Sequence, residues 1–113
     1  MVVSARALVE RFSVWGVDLD PAKGSEQSGY RPVLVVSPNE MNRNLRTVIV
    51  APMTTRLRQW PTRVKVRHAN KTGDVALDQL RTLDQVRLLR PMGQLNARYH
   101  GLVLAVLAEM FAD

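Results

Sequence analysis

A chain of 113 residues, 46% of them apolar, has the length for a single domain over residues 1–113 and enough apolar side chain for one modest core. It contains no cysteine, which excludes disulfides, a thiolate nucleophile and Cys-bound zinc and suits a reducing cytoplasm. A net charge of +6 points instead to an anionic partner. No stretch approaches the ~18 apolar residues of a membrane span. The opening MVVSARALVERF carries Arg6, Glu10 and Arg11 around a short apolar segment, unlike a signal peptide. The reading is a cytoplasmic protein with no membrane partner.

Along the chain, Trp15, Val17 and Leu19 alternate with Val14, Gly16 and Asp18, which predicts a first strand over residues 12–19. The polar loop KGSEQSG follows and runs directly into RPVLVVS, a continuous β-branched run that reads as a buried strand entered through a proline. TVIVAPM repeats that character and is predicted to stop near Pro52. TRVKVRH alternates strictly, with Val64 and Val66 on one face and Arg63, Lys65 and Arg67 on the other, so this strand has one wet, basic face. GDVALDQLRTLD supplies another strand, with turn chemistry at Gly73 and Asp74. After Gly93 the period changes: Leu95, Tyr99, Leu102, Val103, Val106, Leu107 and Met110 recur at three- and four-residue steps and predict one amphipathic helix. About five short strands followed by one helix predict a small, strongly bent antiparallel sheet or partly open barrel.

The charge is concentrated. Between Met41 and Gly73 there is no acid, and that segment holds eight of the sixteen bases: Arg43, Arg46, Arg56, Arg58, Arg63, Lys65, Arg67 and Lys71. In the rest of the chain the remaining bases are outnumbered by ten acids. A continuous basic block is the footprint of a phosphate-backbone partner, because each contacted phosphate releases condensed counterions. Its bland alternative is a solvated face.

Three stretches, VDLDPAKGSEQSGYRPVLVVS, TVIVAPMTT and DQLRTLD, resemble in their order and spacing the MazF/PemK family of toxins from bacterial toxin–antitoxin pairs, over the chain from about residue 11 to the end. The resemblance implies a mainly β, SH3-like small barrel of the MazF, CcdB and Kid type with a C-terminal helix. It further implies a homodimer and an endoribonuclease that cuts single-stranded RNA at short sequences without metal or cofactor. A cognate antitoxin normally holds such a toxin inactive. A basic RNA groove would also attract an acidic, poorly structured peptide, so an antitoxin with an acidic C-terminal segment is the expected partner. Residues 1–10 have no clear family counterpart and read as an N-terminal extension, either a short helix or a frayed arm.

The family pattern places its central arginine at the Arg-Pro that opens the second long strand, which here is Arg31. A planar, permanently charged guanidinium at that junction can clamp the scissile phosphate as charge builds on it. The loop 24–29 corresponds to a flap over the site, with Glu26 and Gln27 as candidate RNA contacts. The family's hydroxyl at the end of VIVAPMT corresponds to Thr54, with Thr55 on the opposite face of the strand. Thr55, Arg56 and Arg58 on the following loop, Arg63, Lys65 and Arg67 on the basic strand, and Gln79 and Arg81 of DQLRT complete the candidate RNA-binding set. Trp60, in the loop 56–62, is suited either to stacking a base or to filling a loop core.

Cleavage without metal means that the RNA's own 2′-OH attacks the adjacent phosphorus, giving a 2′,3′-cyclic phosphate and a 5′-OH. A guanidinium keeps its proton at neutral pH, so Arg31 is a poor general base. His68 ends the basic strand and His100 sits in the last helix, neither well placed by sequence. Some relatives carry an aspartate at the position of Asp78, which can either accept the 2′-OH proton or orient the arginine. Those relatives also have an arginine two residues earlier and a histidine in the flap, where this chain has Ala76 and Ser25, a departure that favours a mechanism centred on Arg31 and Thr54. Family members usually open the first strand with Gly-Asp and a bulky residue further on, where this chain has Phe12, Ser13 and Gly16, so different packing is expected there. Two rivals remain. Toxins of the same fold poison DNA gyrase without catalysis, but they lack the flap followed by Arg-Pro. A passive RNA-binding barrel would need stacking platforms, and aromatic residues make up only 5% of this chain.

Overall fold

The computed structural model describes residues 8–113. Most of the predicted N-terminal extension, residues 1–7, lies outside the described residues. At its end Val9 is buried, and its carbonyl accepts the Asn42 side-chain amide at 2.9 Å.

The strands are β1 (Ser13–Asp18), β2 (Tyr30–Val35), β3 (Thr47–Thr54), β4 (Arg63–His68), β5 (Lys71–Ala76), β6 (Arg81–Asp84) and β7 (Arg90–Gln94). A short helix α1 (Asn39–Asn44) links β2 to β3, and α2 (His100–Met110) closes the chain. All pairings are antiparallel, in the order β4-β5-β3-β2-β1-β7, with β6 paired to β3 as well. The expected curled, mainly β fold with a terminal helix is what forms.

β3 makes the curl. Its first half, Thr47 to Val50, pairs with β6, and its last residues, Met53 and Thr54, pair with β5. Pro52 falls in the gap between those two ladders, so its missing N–H costs neither of them a hydrogen bond. The strand therefore runs through Pro52 to Thr54 and does not end at it, as the sequence suggested. β2 and β3 are buried on both faces, which explains their unbroken apolar runs. Val33, Val35, Val48 and Val50 join one core cluster, while Leu34, Ala51 and Met53 join the other, which α2 covers through Val103.

GDVALDQLRTLD is two strands, β5 and β6, separated by a single 3₁₀ turn over Leu77–Gln79. The turn before them sits earlier than the glycine suggested. His68 pairs with Lys71, leaving a two-residue hairpin of Ala69 (φ 51°) and Asn70 (φ 63°), the geometry that matches the twist of paired strands. Gly73 lies inside β5 because the backbone there passes close to Thr54: an added Cβ would lie 2.7 Å from the Thr54 carbonyl oxygen.

Sequence periodicity also missed α1 and β7, which are short and polar, and it extended the last helix. Leu95 and Tyr99 precede α2 and pack against the core from its approach, whereas Leu102 is 53% exposed. At the first strand, Phe12 stands at φ 70°, a left-handed conformation that suits the glycine usual at this point. Burial of its ring, stacked on His100 with centroids 3.8 Å apart, offsets that strain. Gly16 leaves room for a neighbour: the Tyr30 hydroxyl occupies the space a Cβ would need, 2.4 Å from where it would stand.

Candidate active site beneath the flap

β2 begins and β3 ends at the same edge of the sheet. Val33 pairs with Pro52, and the same antiparallel count carried back two residues sets Arg31 level with Thr54. Both side chains line a cleft of about 590 Å³ whose roof is the loop 25–28 and whose far wall is the loop after β3. Arg56, Arg58 and Arg63 also line it, with Glu26 as its one carboxylate, so the cleft is strongly cationic. The sequence-predicted residues Gln27, Thr55 and Gln79 are there too.

The flap is tied down at several points. The Leu19 N–H donates to the Gly29 carbonyl at 2.9 Å, and Gly29 at φ 76° turns the chain back onto β2. Asp20 accepts the Gly29 N–H, and Glu26 accepts the Lys23 N–H at 2.7 Å. Gln79 bridges flap and barrel with two long bonds, accepting from the Gln27 N–H at 3.3 Å and donating to the Ser25 carbonyl at 3.4 Å.

Arg31 donates through Nε to the Ser28 carbonyl at 2.8 Å. Among the described residues nothing else binds its guanidinium, so the two terminal nitrogens keep their donors for an anion. Thr54 is buried, and its Oγ1 accepts the Arg56 N–H at 3.2 Å. That bond fixes the hydroxyl oxygen and leaves its proton free to donate. A guanidinium fork beside a fixed hydroxyl donor is an arrangement for holding two oxygens of one phosphate.

Asp78 does not join this pair. Its carboxylate accepts from Arg63 Nε at 2.6 Å, from Arg63 Nη2 at 3.2 Å and from the Thr62 hydroxyl at 3.1 Å, and it lines a neighbouring cleft with Arg81. Burial pushes this carboxyl up, but the Arg63 guanidinium, its own backbone N–H, the Thr62 hydroxyl and the Arg63 charge together hold it below the ordinary value of 3.8. A carboxylate so stabilised is a weak proton acceptor, and its partner is Arg63 where the sequence suggested Arg31.

The wet basic face of β4 needs the matching correction. Lys65 and Arg67 are exposed, but the Arg63 side chain is only 5% exposed, locked to Asp78 and laid over the Trp60 ring at 4.6 Å from its centroid. Neither Lys65 nor Arg67 lines the Arg31 cleft. Arg81 is half-buried and donates to the Leu19 carbonyl at 3.3 Å, bracing the root of the flap. Trp60 takes a second guanidinium, that of Arg58 at 5.2 Å, so it both fills its loop and stays half-exposed at the cleft wall.

Sequence reading missed Asp74. It is buried, stands opposite Thr54 in β5, and accepts the Arg58 N–H at 2.8 Å, so it anchors the loop that carries Arg56 and Arg58. Its signal was an acid in the middle of a strand, directly across from Lys65. Both histidines face main-chain carbonyls through Nε2, His68 that of Met92 at 2.6 Å and His100 that of Leu95 at 2.8 Å. Among the described residues no three His, Asp or Glu side chains gather as a metal site.

The Arg63–Asp78 pair makes a pH-dependent contribution to stability. The folded carboxyl titrates below 3.8, so this stability is present above that pH and is lost as pH falls through the folded-state value. Asp78→Asn is expected to cost about 1.5 kcal/mol at neutral pH, a charged hydrogen bond discounted for partial exposure. The gap should narrow as pH is lowered from neutral to below 3.8 in urea unfolding curves. A loss unchanged over that range would mean that shape, and not charge, joins the two residues.

No helix among the described residues is long and apolar enough to cross a membrane. The family model described as PemK-like, MazF-like toxin of type II toxin–antitoxin system matches residues 10–111. The chain is 36% identical over 95 residues to the endoribonuclease MazF of Staphylococcus saprophyticus, covering 79% of each protein. Its fold superposes on the crystal structure of MazF from Deinococcus radiodurans with a TM-score of 0.80 at 26% identity, covering 93% of this chain and 97% of that one. A mycobacterial endoribonuclease in complex with its cognate antitoxin superposes with a TM-score of 0.77 at 28% identity, covering 89% of this chain and 92% of that one. The curled sheet is therefore the fold of these solved structures, and the chain belongs to the PemK-like, MazF-like toxins of type II toxin–antitoxin systems.

Proposed function

We propose that this protein is a toxin endoribonuclease that cuts single-stranded RNA at short specific sequences, without a metal ion, by attack of the RNA's own 2′-OH on the adjacent phosphorus. The observation that carries this reading is the pairing of Arg31 and Thr54 on the wall of a cationic cleft. Arg31 binds two phosphate oxygens through its free terminal nitrogens, and Thr54 donates its hydroxyl proton to one of them, so negative charge is met where it grows in the transition state. Glu26, the carboxylate that lines the cleft, is the group available to take the 2′-OH proton as the P–O bond forms. Asp78 acts through Arg63, which it holds against Trp60. Arg56 and Arg58 bind flanking phosphates, while Lys65 and Arg67, exposed on the same strand face, attract RNA at longer range.

We further infer a homodimer, and an antitoxin whose acidic C-terminal segment occupies the basic cleft and so excludes RNA. The antitoxin-bound mycobacterial relative supports the antitoxin as a partner. The test is digestion of a long unstructured RNA beside the same RNA annealed to its complement. Discrete cuts in the single strand and none in the duplex are expected. RNA that is bound but left intact would make the protein a passive binder.

A further inference from the structure

Arg31, Thr54 and Thr55 have a second side. They also bound a cleft of about 360 Å³, at the open end of the curled sheet between the tip of the β4–β5 hairpin and β7. The residues proposed for the chemistry thus form a partition: the polar cleft under the flap lies on one side and this second cleft on the other. For a strand of RNA whose scissile phosphate sits on the partition, the second cleft is within reach of the neighbouring nucleotide.

The walls of that cleft differ from those of the first. Pro32, Met53, Val66 and Met92 make it mainly apolar, and Lys71 and Arg90 stand at its mouth. Tyr30 forms one side. It is 54% exposed, yet its hydroxyl end rests in the space left by Gly16, so the ring is braced before any ligand arrives. His68 supplies a polar edge. Its Nε2 faces the Met92 carbonyl at 2.6 Å, and a carbonyl only accepts, so Nε2 carries the proton and Nδ1 of the neutral ring is an acceptor. An apolar slot with one braced aromatic ring, one acceptor and a cationic mouth suits a flat heteroaromatic ring attached to a phosphate chain. A phosphate alone would find too few donors inside, and a purely apolar ligand would make no use of Lys71 and Arg90. The volume lies within the ~300–1,000 Å³ of pockets that hold small organic ligands.

We propose that this cleft is a nucleobase seat: Tyr30, braced by Gly16, stacks the base of the nucleotide next to the scissile phosphate on the side away from the flap, and His68 accepts a hydrogen bond from that base. The proposal rests on the endoribonuclease reading. It makes Tyr30 and Gly16 determinants of which sequence is cut, and it explains why the bulky residue expected in β1 is absent.

The experiment is cleavage of a short RNA bearing the sequence that wild-type protein cuts, made intact or with an abasic nucleotide on either side of the cut. Wild type, Tyr30→Ala, Tyr30→Phe and Gly16→Val are compared under single-turnover conditions. For wild type, removing the base on one side is expected to lower kcat/KM about 10–100-fold, the usual contribution of one base stacked on an aromatic ring. Tyr30→Ala should lose a similar factor on intact RNA and almost nothing more on the abasic RNA. Tyr30→Phe, which keeps the stacking ring and loses only its hydroxyl brace, should lose much less than Tyr30→Ala on intact RNA and keep most of the abasic penalty. Gly16→Val, which displaces the ring, should behave as Tyr30→Ala does. Since Tyr30 is half-exposed, its variants carry the test even if Gly16→Val does not fold. Full wild-type cleavage by Tyr30→Ala, or an abasic penalty undiminished in that variant, would overturn the seat and leave the endoribonuclease reading standing. Wild-type protein that cuts no RNA would overturn both.

Discussion

Arg31→Ala is expected to lower the rate of RNA cleavage by at least ~100-fold while RNA affinity stays within about tenfold of wild type. The guanidinium acts when charge develops on the phosphate. In the ground state the phosphate carries a single negative charge spread over two oxygens, and the neighbouring arginines of the cleft can hold it. In the transition state a further oxygen shares the developing charge, and only a donor already aimed at that point gains in strength. Arg31 is aimed by its Nε bond to the Ser28 carbonyl and keeps its terminal nitrogens free. Arg31→Lys should recover little, because an ammonium is a single compact centre without the planar fork that lets Nε hold the Ser28 carbonyl while two terminal nitrogens reach two phosphate oxygens side by side. Rates from single-turnover cleavage, set beside affinities from a non-cleavable analogue with 2′-deoxy nucleotides, separate the two effects. A loss shared equally between rate and affinity would make Arg31 an ordinary phosphate contact.

The second large effect is expected at a residue with no functional group. Gly73→Ala puts a Cβ 2.7 Å from the Thr54 carbonyl oxygen, and that neighbour is backbone with no flexible end to yield. Either β5 or the end of β3 must move, at a cost of about 2 kcal/mol. Either movement disturbs the pairing that positions Thr54, so cleavage should fall along with stability. Gly101→Ala in α2 is the control: a Cβ there meets no atom within 4 Å, so that variant should be as stable as wild type or about 1 kcal/mol more stable through better helix propensity. Chemical denaturation and cleavage assays on the two variants check this. Wild-type stability in Gly73→Ala would mean that the two strands have slack at this point.

The large elements were legible because burial writes itself into the sequence. β2 and β3, covered on both faces, appear as unbroken β-branched runs, and β4 as a strict alternation with Val64 and Val66 inside. What escaped was short or depended on a partner. β7 contains Pro91 and Gly93 and has little apolar character of its own; it is a strand only because β1 pairs with it. The break between β5 and β6 is a three-residue turn with no glycine or proline to announce it. In the candidate site, Arg31 and Thr54 could be proposed from the stretches that resemble the family, and the fold brings both to one cleft. Asp78 could be named too, but its pairing with Arg63 could not, since it joins residues 15 positions apart through a fold that sequence spacing does not encode. Asp74 reads locally as a turn former, and only the ladder to Lys65 and Thr54 makes it a buried anchor.

In the proposed reaction the protein provides the electrostatics and the RNA provides the nucleophile. The most direct measurement is to digest an unstructured RNA in excess EDTA and identify the chemical groups at the new ends. Cutting that persists, with a 5′-OH on one fragment and a 2′,3′-cyclic phosphate on the other, is the result predicted. Cutting that stops on chelation, returns with magnesium and leaves a 5′-phosphate would contradict it, because water activated on a metal would then be the nucleophile.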